Sequence, residues 1–337
     1  MTTGAHGTPE VLDAATHPTI DPHDRLEVDG TVLNGTSSRC RIGLGARTSR
    51  VRNVKVNEPL VLAPHLAARV WGGNAFGQGI GEAWDLSAHP NGPCTVRGGH
   101  HNGATLAEVV AADPDAFGGP IDLLAKRLDS AENLSVQVHP TEGDRKTEAW
   151  VVLEAKPGAG VYHGFDRRVR RAEIEAAALD GSIMDLLAFH EVERGDCLFV
   201  PAGTVHAIGG GLQLFELQQS SDTTFRIYDY GRGRELHLEE GLAVADLGPS
   251  DPLSVPTQLP DGHRLVTCTH FHVDDVKGAN ISIDPVDRWK ALFVLSGSAT
   301  AGTHTAPPGT TLLVPAAAGP IDVLGPCHAL RYGPGPE

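Results

Sequence analysis

Glycine and proline punctuate this chain. Together they make up about one residue in five of its 337, against roughly one in eight in average usage. Inside a helix glycine costs about 1 kcal/mol and proline about 3 kcal/mol relative to alanine. Such punctuation therefore suits short strands joined by turns. Between the turns, apolar and polar residues alternate in "LSVQVHP" (134–140), "EAWVVLEA" (148–155), "DCLFVPAG" (196–203) and "GLQLFELQQ" (211–219). From about residue 262 the alternation returns in "RLVTCTHFHVDDV", "WKALFVLSGSATA" and "GTTLLVPAAA". The pattern predicts short antiparallel strands throughout, in a jelly-roll type of sandwich with helices inserted.

Three helical segments are expected. "TLAEVVAADPDAF" opens with Thr105-x-x-Glu108, a capping box. "PIDLLAKRLDSAEN" (120–133) has apolar residues at helical spacing behind Pro120, which suits a first helical turn. "RRAEIEAAALDGSIMDLLAFHEV" (170–192) reads as a helical insert broken at Gly181. Residues 1–50 read as a polar extension. It holds a mobile tail up to about residue 22, a hairpin over 25–35 around Asp29-Gly30, and an arginine-rich run over 38–52. The run reads as a solvated face. The division expected is 1–50, then a metal-binding domain over 51–260, then a small C-terminal jelly roll over 261–337.

A formal net charge of −15 argues against partners such as nucleic acid or an anionic membrane. It also means that an anionic substrate would need a local positive pocket. Cys40, Cys94, Cys197, Cys268 and Cys327 are scattered and never paired as C-x-x-C, which fits a reducing cytosol. The N-terminus lacks the basic start and apolar core of a signal peptide. No apolar run approaches the length needed to cross a bilayer.

The chemistry begins at residues 134–140. Side chains on a strand repeat every two residues, so Gln137 and His139 share a face. An amide and an imidazole side by side are either surface decoration or half of a metal site. "GDCLFVPAGTVHAIGGG" (195–211) supplies a second half: a strand, a Pro201-x-Gly203 turn, and His206 just beyond it. This G-x5-P-x-G-x-x-H spacing resembles the second motif of cupins, small jelly-roll barrels that hold a metal inside. The first cupin motif, usually H-x-H followed by Glu, here reads Gln137-x-His139 followed by Glu148. Gln137, His139, Glu148 and His206 make a mixed nitrogen and oxygen set, suited to zinc and tolerable for manganese, iron or cobalt. Only Glu148 is negative, so a divalent ion would keep a net charge near +1, which favours a Lewis acid.

"LSVQVHP…KTEAW", "PAGTVHAI" and "ELQQSSDTTFRIYDYGRGRELH" together resemble type I phosphomannose isomerases in their short bacterial form. "RVWGG" and "GEAWDLSAHPNGP" (81–93) are also similar to the start of that family. The resemblance covers about 59–337 and is densest over 71–242. It implies one zinc ion on Gln137, His139, Glu148 and His206, with Lys146, Glu216, Asp222 and Arg226 in the active site. It implies interconversion of mannose 6-phosphate and fructose 6-phosphate, a sugar phosphate being the partner. The loop 140–147 is shorter than usual in the family. Neither spacing nor composition decides between Glu216 and Asp222 as the base. Two other functions share the scaffold: isomerisation of an unphosphorylated or different sugar, and non-catalytic sugar binding. Retention of all four active-site residues speaks against the second.

Two rival clusters weigh less. "TCTHFHVD" would put Cys268, His270 and His272 on one strand face, with no fourth ligand nearby. "GGHH" (98–101) reads as a solvated turn. "GTTLLVPAAAGPIDV" mimics the cupin turn, but Gly319-Pro320 stand where a histidine is needed, so the C-terminal jelly roll is expected to be metal-free.

Overall fold

A computed structural model describes residues 54–336 of the chain. The hairpin, the arginine-rich run and the N-terminal tail expected above lie outside the described residues. Among the described residues the fold is mainly β, with three short helices: α1 (Leu106–Ala112), α2 (Arg171–Asp180) and α3 (Leu238–Val244). Its strands form three sheets of ten, six and five, paired antiparallel throughout.

The six-stranded sheet positions the site. Its order runs Cys197–Val200, Glu148–Ala155, Leu212–Gln219, Leu123–Ser130, Ile80–Leu86, His65–Ala68. Both of its faces are buried. On one face Ala125, Ala149, Val151, Phe215 and Leu217 join a core with Phe293, Leu330 and Tyr332 of the ten-stranded sheet. The Phe215 ring lies 5.3 Å from Phe293 and 5.4 Å from Tyr332. Truncating it to alanine would cost about 3–5 kcal/mol. On the other face Leu128, Trp150, Val152, Leu212 and Leu214 pack with Val161 and Ile208 of the five-stranded sheet and with Leu134 just before it. That sheet runs Phe225–Tyr228, Val136–Val138, His206–Ile208, Gly160–Phe165, Leu187–Glu191. Its far face is covered by Ile174, Ala177 and Ala178 of α2 and Leu242 of α3.

Burial on both faces overturns one expectation. Residues 120–133 do not form a helix; Leu123–Ser130 is a central strand of the six-stranded sheet. A strand buried on both sides loses the polar alternation that would mark it, so "LLAKRL" imitates helical spacing. Pro120 opens no helix, and its carbonyl accepts from Trp289 Nε1 at 3.0 Å. The segment 170–192 is helical only to Asp180. Gly181 takes φ +86° as the cap, donating to Ala177 O at 3.0 Å. A 3₁₀ turn (Ser182–Leu186) and the strand Leu187–Glu191 follow. The capping box does form at α1: Glu108 N donates to Thr105 Oγ1 at 3.2 Å, and Thr105 N donates to Glu108 Oε2 at 2.8 Å.

The ten-stranded sheet carries the C-terminal strands from Thr257–Leu259 to Ile321–Pro334. Leu60–Ala63 and Thr95–Arg97 also belong to it, with Leu60–Ala63 paired to Thr311–Val314. Sheet membership thus does not follow chain order across residue 260.

Candidate active site and metal centre

Register places the polar residues in rows. Across the inner face of the six-stranded sheet, Trp150 pairs with Glu216, Glu216 with Lys126, and Lys126 with Trp84. Glu148 lies two residues along from Trp150, so it points the same way. On the facing five-stranded sheet His206 pairs with Gln137, and Gln137 with Arg226. His139 follows directly after that strand. Strand periodicity and register therefore aim two polar rows at one another inside an otherwise apolar sandwich.

His139, Glu148 and His206 converge with almost no exposure, at 1%, 0% and 0%. Their ligating atoms all lie within 4.8 Å of one another. Glu148 Oε2 is 3.5 Å from His139 Nε2, and Oε1 is 3.3 Å from His206 Nε2. Ligands about 2.1 Å from a tetrahedral ion sit about 3.4 Å apart, so these separations fit one ion. Each imidazole has its outer nitrogen committed: His139 Nδ1 donates to Thr223 O at 3.1 Å, His206 Nδ1 to Thr204 O at 2.9 Å. Both Nε2 lone pairs are thereby turned inward, as second partners orient metal-binding imidazoles. Gln137 Nε2 stands 3.2 Å from His206 Nε2, and its Oε1 accepts from Ser135 Oγ at 3.3 Å. A half-turn of the amide would present the oxygen instead.

The charges agree. Neither oxygen of Glu148 accepts a well-formed hydrogen bond. Burial alone would raise its pKa, but the neighbouring charge, the Lys146 ammonium first, outweighs it and holds the carboxyl well below its usual range. Burial pushes His206 down to about 3, and His139 down as well with help from Lys146. At neutral pH the group is thus one carboxylate and two neutral imidazoles. Lys146 Nζ lies 3.0 Å from Glu148 Oε2 and 3.1 Å from His139 Nε2, so a positive charge already rests on these donors. A buried carboxylate between two inward lone pairs, with the Lys146 ammonium standing where a cation would, fits a divalent metal.

Beside this group is a cavity of about 330 Å³ whose lining includes Gln137, Lys146, Glu216, Asp222 and Arg226. Glu216 is held by Lys126 Nζ at 3.3 Å and by Trp150 Nε1, which donates at 3.0 Å. Burial, and then the charge of Glu148, raise its pKa. Asp222 is at the mouth, 39% exposed. It accepts from Asn91 Nδ2 and lies 3.8 Å from His89 Nε2. Arg226 pairs with neither Glu216 nor Asp222 among the described residues. Its Nη1 donates to Glu235 O at 2.6 Å, and its buried Nε has no partner.

Sequence reasoning missed Lys126, Arg69, Glu82 and Arg234. Lys126 was hidden by the helical reading of its segment. Glu82 accepts from Arg69 Nε and Nη2 and from Trp84 Nε1, at 3.0, 2.8 and 2.7 Å. Burial opposes its charge, yet Lys126 and Arg69 bring it down to about 2. The alternation in "GEAWDL" was a usable signal. Arg234 is paired with Asp229, with Nε 2.7 Å from Oδ2.

The rival clusters do not assemble. Cys268 and His270 sit in the turn between Gly262–Thr267 and Phe271–Ile283, not on a strand face with His272. His272 is buried and donates through Nδ1 to Pro334 O at 3.0 Å. In "GGHH", His101 is not solvated: it is 2% exposed, and neither nitrogen has a hydrogen-bond partner among the described residues. Among the described residues, His139, Glu148 and His206 are the one such group of metal-ligating side chains.

Similarity to known proteins bears on this site. The description "Phosphomannose isomerase type I, catalytic domain" matches residues 64–157. A mannose-6-phosphate isomerase of Streptococcus mutans is 39% identical over 218 residues, 57% of this chain and 69% of that protein. The mannose-6-phosphate isomerase ManA of Bacillus subtilis is 35% identical over 273 residues, 72% of this chain and 81% of that protein. The crystal structure of a mannose 6-phosphate isomerase from Bacillus subtilis superposes with a TM-score of 0.75 at 28% identity, covering 82% of this chain and 99% of that one.

Proposed function

The chain belongs to the type I phosphomannose isomerase family, and from that premise we propose that it interconverts mannose 6-phosphate and fructose 6-phosphate with one zinc ion on Gln137, His139, Glu148 and His206. The observation that carries this reading is Glu148: fully buried and ionised, with the Lys146 ammonium beside it, between two inward imidazole lone pairs. When bound, the metal supplies a Lewis acid that polarises sugar oxygens. Lys146 must then leave His139 Nε2, because one lone pair cannot serve both an ammonium and a metal.

The chain's own groups divide the remaining work. An aldose–ketose exchange moves a proton between C1 and C2 and develops negative charge on the enediolate oxygens. Glu216 is our candidate proton carrier. Its raised pKa brings it nearer to neutral pH, where acid–base exchange is efficient. Lys126 and Trp150 hold its carboxylate in place, so orientation is set before substrate arrives. Arg226 has no carboxylate partner among the described residues, which leaves its guanidinium for the developing oxyanion. Asp222 and Asn91 stand at the cavity mouth and orient the sugar there. The cations around the cavity give the local positive potential that a sugar phosphate needs on an acidic protein.

In this reading residues 51–260 carry the whole site, and 261–337 contribute nothing to the cavity and serve structure. The reading places the enzyme in the reducing cytosol. Cys94, Cys197, Cys268 and Cys327 are free thiols, and no described helix is long and apolar enough to cross a membrane. The test is a coupled assay of mannose 6-phosphate turnover before and after chelation. Turnover should vanish with chelator and return with zinc. Full activity in metal-stripped protein would overturn the proposal.

A further inference from the structure

A second cationic cavity lies on the C-terminal strands, in a part of the chain that the isomerase reading leaves without chemistry. It measures about 420 Å³, and Arg264, His272, Asp274, Lys290 and Arg331 are among its lining residues. Register sets Arg264 opposite Asp274, and Asp274 opposite Arg331. Asp274 is fully buried. It accepts from Arg264 Nε at 2.7 Å and Nη2 at 3.3 Å, and from Arg331 Nε at 3.1 Å and Nη2 at 3.0 Å. Arg331 is also committed to Asp261 and to Ser282 O, so its five N–H groups are used. Among the described residues, Arg264 keeps both protons on Nη1 and one on Nη2.

Lys290 is the odd member. Among the described residues its ammonium has no hydrogen bond and no carboxylate within ion-pair distance, although the residue is half-buried in a strand. A Cβ at Gly333 would fall 2.7 Å from Lys290 Cδ and 3.4 Å from His272 Cε1. Glycine at 333 thus leaves the lane along which the lysine stem runs beside the imidazole. His272 is held neutral, with burial pushing its pKa to about 4, so it adds no charge. Counting Asp261, the fixed cluster of three cations and two carboxylates has a net charge of +1. Asp284 stands exposed at the rim, where water screens it.

We propose that this cavity is an anion site, separate from the isomerase centre, that holds a tetrahedral oxyanion between the Lys290 ammonium and the free N–H groups of Arg264. The donors are a rotatable point charge and the unused corner of a guanidinium. They suit the spread oxygens of a phosphoryl group better than the flat edge of a carboxylate. The ligand class is therefore phosphate itself or a small phosphate monoester.

The experiment is isothermal titration of the full chain with inorganic phosphate, and separately with glycerol 3-phosphate, at matched ionic strength. Lys290→Met should weaken one binding event at least about tenfold, as expected when a close charge partner is removed. Lys290→Arg should keep it. The loss should leave the KM for mannose 6-phosphate unchanged, which separates this site from the catalytic cavity. Tighter binding of the ester supports a phosphorylated metabolite as ligand; equal binding supports free phosphate. A native protein with no phosphate binding at all would overturn the proposal, whether or not the methionine variant folds. So would unchanged binding in a folded Lys290→Met protein.

Discussion

Replacing Arg226 with alanine separates chemistry from binding at the proposed centre. Among the described residues the side chain is tied to the protein by one bond, from Nη1 to Glu235 O, while Nε is buried without a partner. Four of its five N–H groups are thus uncommitted. Removing the side chain costs the fold roughly 1 kcal/mol, the usual net worth of one hydrogen bond. The bond from Arg226 N to His237 Nδ1 at 3.3 Å belongs to the backbone and survives. If the guanidinium meets charge that appears only during reaction, its loss resembles loss of one oxyanion donor, about 2.7–4 kcal/mol of transition-state stabilisation. Steady-state kinetics should then show kcat falling about 10²–10³-fold, with KM changed much less. Metal content should stay near one equivalent, since Arg226 is not among the ligands. A raised KM with kcat intact would refute the transition-state role and make Arg226 an anchor for ground-state phosphate. Loss of metal or of folding would refute both roles.

Four further outcomes are expected. His206→Ala should lose most of the bound metal by elemental analysis, whereas the triple change Cys268→Ala, His270→Ala, His272→Ala should leave it unaltered. Free mannose should be turned over far less efficiently than mannose 6-phosphate; parity would point to the short 140–147 loop and a different sugar. A chain beginning at Asp24 should keep metal and activity, because residues 1–22 contain too little apolar sequence to bury and no motif residue. Stability should fall on acidification, because burial depresses His163 and His272 to about 4 in the folded protein, from about 6.5. Their contribution is complete above pH 6.5 and is lost as pH falls towards 4, at about 3 kcal/mol each by linkage. Chemical denaturation at pH 7 and pH 4.5 would measure it, and His272→Gln should flatten the slope.

Local chemistry accounts for what the sequence determined alone. The Gln137-x-His139 pair, Glu148 at the head of "EAWVVLEA" and His206 beyond the Pro201-x-Gly203 turn follow from strand period and turn residues. Both are read over a few positions. The Thr105–Glu108 capping box is equally local. Tertiary structure decided what depends on burial from a distance. "LLAKRL" is a strand because two other sheets cover both its faces, which removes the alternation that local reading needs. Lys126 enters the site only through that strand's register with Glu216. Leu60–Ala63 joins the C-terminal sheet through a partner some 250 residues away, which no local pattern can name. Arg226 and Lys290 look like any other cations in the sequence. Each is left without a carboxylate partner because the nearby acids are committed elsewhere, and that follows only from which strands lie side by side.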